Sequence, residues 1–244
     1  MLPARAEYLT ETAAAVSRCR VAAARAGWGL EWVVVVDGPG AVPAVACDQL
    51  TRLPERVGIA SARNVALANA AGGWIAPLDG DDVFDEAGFT ALLAVLDRNR
   101  ELSWLSGNRL LMDGRRTAHW NAKSTPWPAG TLADSWSSPF PFHPNCLLVR
   151  TDLALRVGGW PAVPVNEDMA FALLVAEEAA GASDVPVLTH YRVWDRQETA
   201  RRTYPALRVL SFPVIAGLLN ERRRTRGRPS VDAPLPGPAL ALAR

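Results

Sequence analysis

The sequence is poor in several residue types, and each shortage excludes something. Among 244 residues there are three cysteines, Cys19, Cys47 and Cys146, far apart and without a Cys-x-x-Cys pair. An odd, scattered set is no disulfide framework, and it points to a reducing, cytoplasmic setting. Lysine is almost absent: Lys123 is the only one, and every other basic side chain is arginine. Mechanisms that need several lysines are therefore excluded, while the planar guanidinium suits phosphates and carboxylates. Excess charge is lacking too, with 26 basic against 25 acidic residues and a formal net charge of +1. That balance gives no general drive toward nucleic acid or anionic lipid, so no nucleic-acid partner is expected. Long hydrophobic runs are missing. The longest, Val209 to Leu219, is broken by Ser211 and Pro213 and falls short of the ~20 residues a bilayer span needs. Arg5 and Glu7 precede any apolar run, so no signal peptide is expected.

Hydrophobic residues make up 49% of the 26.3 kDa chain, enough for one large core or two small ones. Helical and extended patterns alternate. An Ala-rich helix is expected from Glu7 to Ala26, stopped by Gly27 and Gly29. The β-branched run Trp32-Val33-Val34-Val35-Val36 has the pattern of a central parallel strand buried on both faces, and it ends in Asp37-Gly38-Pro39-Gly40. A short strand is expected over 56–59, then a helix Ala62–Ala71 capped by Ser61, then a strand Trp74–Leu78 ending in Asp79-Gly80-Asp81-Asp82. Pro77 implies that one side of this strand lacks a ladder partner there. A helix Glu86–Arg98 with Asp85 as its N-cap, strands at 102–106, 145–150 and 185–188, and helices over 167–180 and 199–224 complete an α/β pattern. The Trp- and Pro-rich stretch 114–144 is long for a structureless loop; it has the composition of a binding lid, with core packing as the alternative. Residues 1–226 form one domain in this reading, and the Pro-rich stretch 227–244 a disordered tail.

In open α/β sheets ligands sit at the carboxyl ends of the strands, and here two strands end in acids. Asp79 and Asp81, at i and i+2 around Gly80, can face one hard cation such as Mg²⁺ or Mn²⁺, which would neutralise the clustered charge beside a phosphate. A plain turn with an N-cap also accounts for the same residues.

Five segments in this order resemble family 2 glycosyltransferases of GT-A fold: Asp37 after its Val-rich strand, Gly58-Ile59-Ala60-Ser61-Ala62-Arg63-Asn64, Trp74 to Asp82, Gly158-Gly159-Trp160, and Glu167-Asp168. The resemblance covers roughly residues 5–202. It implies a GT-A nucleotide-diphospho-sugar transferase-like Rossmann-type sheet with helices on both faces. It also implies an inverting transfer of sugar from a nucleotide-diphosphate donor to a hydroxyl acceptor, which could be a glycan, a lipid-linked molecule or a small molecule. By this likeness Asp37, Arg63, Asp79 and Arg192 contact the donor, and Asp79 and Asp81 form the metal-binding DxD. Asp168 is the base that takes the acceptor proton, and Glu167, Trp160 and His143 lie on the acceptor side. Trp194 stands where the family commonly has histidine, which leaves His190 as the nearest third metal ligand, or a strand-end structural histidine. The family opens with an apolar strand, whereas this sequence enters its first helix directly after Met1-Leu2-Pro3-Ala4-Arg5. The first strand is therefore expected to be missing or truncated, with either a start further upstream or a gap of unpaired backbone groups.

Simpler roles exist for each residue. Glu167 and Asp168 suit a helix first turn, Arg63 and Asn64 a solvated helix face, and His143 a packed core. Leu78-Asp79-Gly80-Asp81-Asp82-Val83 also fits the first motif of haloacid-dehalogenase-like phosphatases, but Lys123 is followed by Ser124-Thr125-Pro126 rather than the acidic pair that class needs. A non-catalytic nucleotide-sugar binder is the remaining alternative. The apolar residues of 209–219 with Arg222, Arg223 and Arg224 after them would suit a peripheral membrane contact as well as intramolecular packing.

Overall fold

The computed structural model describes residues 6–234 apart from 41, 118, 137–139 and 196. Its elements, in order, are α1 (Ala6–Arg25), β1 (Val33–Val36), β2 (Gln49–Arg52), α2 (Ile59–Asn69), β3 (Trp74–Ile75), β4 (Val83–Phe84), α3 (Glu86–Arg98), β5 (Trp104–Leu111), β6 (Thr125–Trp127), α4 (Thr131–Asp134), β7 (Leu147–Arg150), α5 (Thr151–Arg156), α6 (Glu167–Glu178), β8 (Gly181–Tyr191) and α7 (Tyr204–Thr225).

The main sheet has the order β3-β7-β5-β8-β4, with β6 also on β8. It is mixed rather than parallel: β5 and β8 run parallel, while β7, β4 and β6 are antiparallel to their neighbours. Strand periodicity sorts its side chains into two cores. Trp104, Leu147 and Val149 pack with α4, α5, α6 and α7, whereas Leu105, Leu148 and Leu188 pack with α1 and α3. Helix α3 lies so close to β8 that a Cβ on Gly88 would come 1.7 Å from the Val187 carbonyl oxygen. Asp85 caps α3 as expected, its side chain accepting from the Gly88 N–H at 2.7 Å.

The Val run is the chief departure from the expected pattern. β1 pairs only with β2, forming a separate two-stranded parallel sheet, and all four valines are half-buried rather than central. Between β1 and β3 there is a gap where the expected first strand of the sheet would lie. The second strand is Gln49–Arg52, not 56–59; its polar edge sequence hid it, and Gly58 at φ 94° turns the chain away from extended geometry. That same glycine, not Ser61, stands at the start of α2.

The segment 114–144 is not an open lid. It carries β6 and α4, and Trp136, Phe140 and Phe142 are buried in the core of α6 and α7. Nor is the start of the expected disordered tail free. Asn220 and Val231 exchange two hydrogen bonds at 2.8 and 3.0 Å, and Val231 and Ala233 pack on the core. Ion pairs hold this turn: Arg223 reaches the buried Glu177 at 2.9 Å and the exposed Asp134 at 2.5 Å, and Arg228 reaches Glu177 at 2.5 Å. Residues 235–244 of that tail lie outside the described residues.

Candidate functional site

Arg63, on α2, is the centre of the site. Its guanidinium spans two carboxylates from different parts of the chain, Asp79 at 2.7 Å and Glu167 at 2.8 Å, and lies 5.9 Å from the Trp160 ring. Its side chain is only 12% exposed. Burial disfavours its charge, but Asp79, Glu167 and Asp168 together hold the guanidinium charged. Asp79 ends the β3 segment, and its other oxygen accepts from the Asn145 amide at 3.2 Å.

Glu167 and Asp168 open α6. The residue before them, Asn166, sits at φ 65°, the one positive-φ non-glycine among the described residues. Backbone held in that region collects at functional sites because the surroundings must enforce it. Burial, then the charge of Asp168, push Glu167 up to about 7 against the pull of Arg63. Burial also raises Asp168, opposed by Arg63 and by the Met169 N–H, which donates to it at 2.7 Å. Both acids thus hold their protons more tightly than free carboxylic acids do.

A clasp fixes this geometry. Asn64, one residue after Arg63, donates to the Trp160 carbonyl at 2.9 Å and accepts from the Trp160 N–H at 2.8 Å. Gly159, at φ 71°, permits it, since a Cβ there would meet the Asn64 side-chain oxygen at 2.1 Å. Asn64 is therefore a tie between α2 and the Gly158-Gly159-Trp160 turn, not a solvated residue. Trp160 is 4% exposed, stacks on Phe171 at 4.1 Å and braces Arg63, and it also lines the cavity that holds Asp37 and Asp79.

Asp37 accepts from the backbone N–H groups of Val57 at 2.8 Å and Gly58 at 3.2 Å, orienting the loop that feeds α2. It lines the same cavity as Arg63, Asp79 and Gly80. Asp81 accepts from the Trp194 indole at 2.7 Å; burial and then the charge of Asp79 raise it. Trp194, standing where histidine was looked for, is thus a partner of the acidic turn rather than a ligand.

Two expected site residues are placed elsewhere. His190 pairs with Asp85 at 2.9 Å and lines a surface groove with Arg18 and Glu86. It alternates with Thr189, which meets Cys146, and Tyr191, which packs on Arg109, so strand periodicity directs it to the other face of β8. It is no third metal ligand. Arg192 donates to the Asp81 carbonyl, offers its N–H to Asp82, pairs with Glu11 and stacks on Tyr8 at 4.1 Å. It fastens α1 to the acidic turn and does not line the Asp37–Asp79 cavity.

His143 is held well below its ordinary value by burial, then by Arg109, His119 and Arg63, so it stays neutral. Arg109 carried no sequence signal. Its guanidinium lies 3.9 Å over the Tyr191 ring, its Nε is buried without a partner among the described residues, and its charge acts on Asp168, Asp82 and His143. Asn145 was missed for the same reason.

Asp79 and Asp81 are a hard, oxygen-only donor pair, although Arg63 and Asn145 already engage Asp79 and the Trp194 indole engages Asp81. Such a pair suits Mg²⁺ or Mn²⁺, which take one or two carboxylates and fill the rest with water and phosphate oxygens. No group of three or more His, Cys, Asp or Glu suited to a metal occurs among the described residues.

The model for glycosyl transferase family 2 matches residues 30–154, half of the chain. The chain belongs to this family. Three solved structures place the family 2 chain in the GT-A fold. S. aureus TarS 1-349 with UDP-GlcNAc gives a TM-score of 0.50 at 16% identity, over 73% of this chain and 57% of that one. S. aureus TarS gives 0.56 at 18% identity, over 90% and 42%. The mannosyltransferase PcManGT from Pyrobaculum calidifontis, with GDP-Man and Mn²⁺, gives 0.53 at 20% identity, over 95% and 63%. The family 2 chain thus spans less than two thirds of each. No curated protein matches its sequence.

Proposed function

We propose that this chain is an inverting glycosyltransferase that moves a sugar from a nucleotide-diphosphate donor to a hydroxyl acceptor, with Asp168 as general base. The observation that carries this reading is Arg63 bridging Asp79 and Glu167, which ties a strand-end acid to the acid pair that opens α6. TarS with UDP-GlcNAc and PcManGT with GDP-Man and Mn²⁺ make a nucleotide sugar the natural donor class.

Asp37 lines the cavity beside the strand ends and is the residue for the nucleoside. Asp79 and Asp81 are the residues that would hold Mn²⁺ or Mg²⁺, whose chemistry is to offset charge on the leaving diphosphate. Arg63 keeps Asp79 charged and oriented. Asp168 accepts the proton of the acceptor hydroxyl, and its raised affinity for protons suits a base working near neutral pH. Glu167 orients the acceptor beside it. Neutral His143 lies on the same side as a hydrogen-bonding group rather than a charge.

A non-catalytic nucleotide-sugar binder is favoured by one feature, the gap in the sheet next to the donor cavity. Turnover separates the two. Release of nucleoside diphosphate from UDP-GlcNAc or GDP-Man supports the transferase, and tight binding with no release supports the binder.

A peripheral membrane role also belongs to the proposal. Val209, Leu210, Val214 and Leu218 form an exposed apolar row along α7, followed by Arg224 and Arg226. No described helix is long and apolar enough to cross a membrane. Co-flotation with anionic liposomes is expected, and protein that stays with the soluble fraction would remove the idea.

A further inference from the structure

Two half-buried arginines carry charge that no carboxylate neutralises. Arg63, Arg192, Arg222 and Arg223 each pair with an acid. Arg109 and Arg208 have no such partner among the described residues; Arg109 rests 3.9 Å over the Tyr191 ring and Arg208 5.4 Å from the Phe212 ring. The Arg109 Nε is buried and makes no hydrogen bond among the described residues. The remaining residues of the sequence include no Asp or Glu, so no further side-chain carboxylate is left for either arginine. A ring face does not use the N–H donors of a guanidinium, and a part-buried charge with unused donors is costly until an anion meets it.

Both arginines face the side of the site where Asp168 lies. Arg208 stands on α7 midway between Tyr204 and Phe212, and the i, i+4 spacing sets all three on one helix face. That face is turned inward. The Tyr204 hydroxyl donates to the Asn166 side chain at 3.1 Å, immediately before Glu167 and Asp168, and Phe212 is buried against Trp136. Arg109 comes from the sheet. Its register partner on β8 is Thr189, whose hydroxyl meets the Cys146 thiol at 2.9 Å, and that thiol lies 3.9 Å from His143. The His143 ring is 6.1 Å from that of His119. Burial holds His119 below its ordinary value, helped by the charges of Arg109 and Arg208, while Asp168 pulls the other way. All three charges thus reach one ring.

Two roles within the protein compete for these arginines, and the geometry goes against both. If they served only to offset Asp168, direct pairing would do so, as Arg63 does for Glu167 at 2.8 Å; neither forms an ion pair with Asp168. If they bound the donor, they would line the cavity of Asp37 and Asp79, and neither does. We infer that Arg109 and Arg208 hold an anionic group, a phosphate or carboxylate, carried by the acceptor whose hydroxyl faces Asp168. Planar guanidinium forks match the paired oxygens of such groups, and a neutral glycan would leave both charges unmet. That the anion belongs to an acceptor rests on the transferase reading; the anion site stands without it.

The test uses the intact protein at constant ionic strength, with a metal chelator and without nucleotide sugar. Glucose 6-phosphate, glucuronate and glucose are the probes, so that a phosphate, a carboxylate and no charge are compared on the same kind of ring. At tenfold excess over Kd a bound anion is expected to raise the thermal midpoint by about 3–6 °C, and glucose is expected to leave it unchanged. Affinity should fall by about tenfold or more in Arg109→Gln and in Arg208→Gln. It should recover in part in Arg109→Lys, which keeps the charge but not the fork. Cooperative urea transitions check that the variants fold, and Arg208→Gln serves if Arg109→Gln does not. A response to glucose 6-phosphate alone assigns a phosphate ester, and one to glucuronate alone a carboxylate. Three results would overturn the inference: no midpoint change with either anion, an equal change with glucose, or undiminished anion affinity in the folded variants. Anion binding that needs the arginines, in a protein that releases no nucleoside diphosphate from any donor, would leave the anion site standing and remove the transferase reading.

Discussion

Replacing Gly159 with alanine is expected to loosen the site without touching any acid in it. The new Cβ would stand 2.1 Å from the Asn64 side-chain oxygen at a backbone φ of 71°. The left-handed conformation costs an L-residue about 1–2 kcal/mol. Displacing Asn64 also forfeits its two hydrogen bonds to Trp160, at about 0.5–1.5 kcal/mol each. A total near 3 kcal/mol corresponds to a thermal midpoint lower by about 6–12 °C for a chain of this size. Asn64→Ala alone loses the same two bonds and avoids the clash. In the double variant those bonds are lost only once, so its destabilisation should fall below the sum of the singles by about 1–3 kcal/mol. Urea unfolding of the four proteins measures this directly. Strictly additive losses, or a neutral Gly159→Ala, would refute the clasp.

Asp168→Asn is expected to lower transfer by about 10²–10⁴-fold, the usual contribution of a positioned base, while donor affinity stays unchanged; initial rates and a donor titration check both. Because the pKa of Glu167 is raised when folded, the native state holds that proton more tightly than the unfolded chain. Stability from this group is full below about pH 4.5 and is lost as pH rises toward 7, at no more than about 1.4 kcal/mol per pH unit. Thermal midpoints between pH 5 and 7 should therefore fall less steeply in Glu167→Gln than in the parent protein. Arg223→Met leaves Glu177, which is fully buried, short of a partner, and is expected to cost about 3–5 kcal/mol in denaturant unfolding.

Much of the site was legible because strand-end acids and helix-start acids carry chemistry wherever the fold puts them. Asp79, Arg63, Glu167 and Asp168 come together as the ordered segments implied. The sequence could not show which face of a strand a residue takes, and one register step sends His190 to Asp85 instead of the acids. Arg109 and Asn145 were invisible since neither has a local motif; only the packing of β5 and the turn before β7 beside the cleft gives them meaning. The Trp-rich stretch misled because composition does not separate a lid from a core. Trp136 and Phe142 settle on α6 and α7 only when those helices are in place. The Val run after Trp32 was readable as a strand. Its place, half-buried in its own two-stranded sheet, was not.

The most direct measurement is release of nucleoside diphosphate from UDP-GlcNAc and GDP-Man, with Mn²⁺ and with the metal chelated, in the parent protein, Asp81→Asn and Asp168→Asn. Release that requires Mn²⁺ and disappears in both variants is the predicted result. Release that proceeds equally in all three proteins, with or without metal, would contradict it.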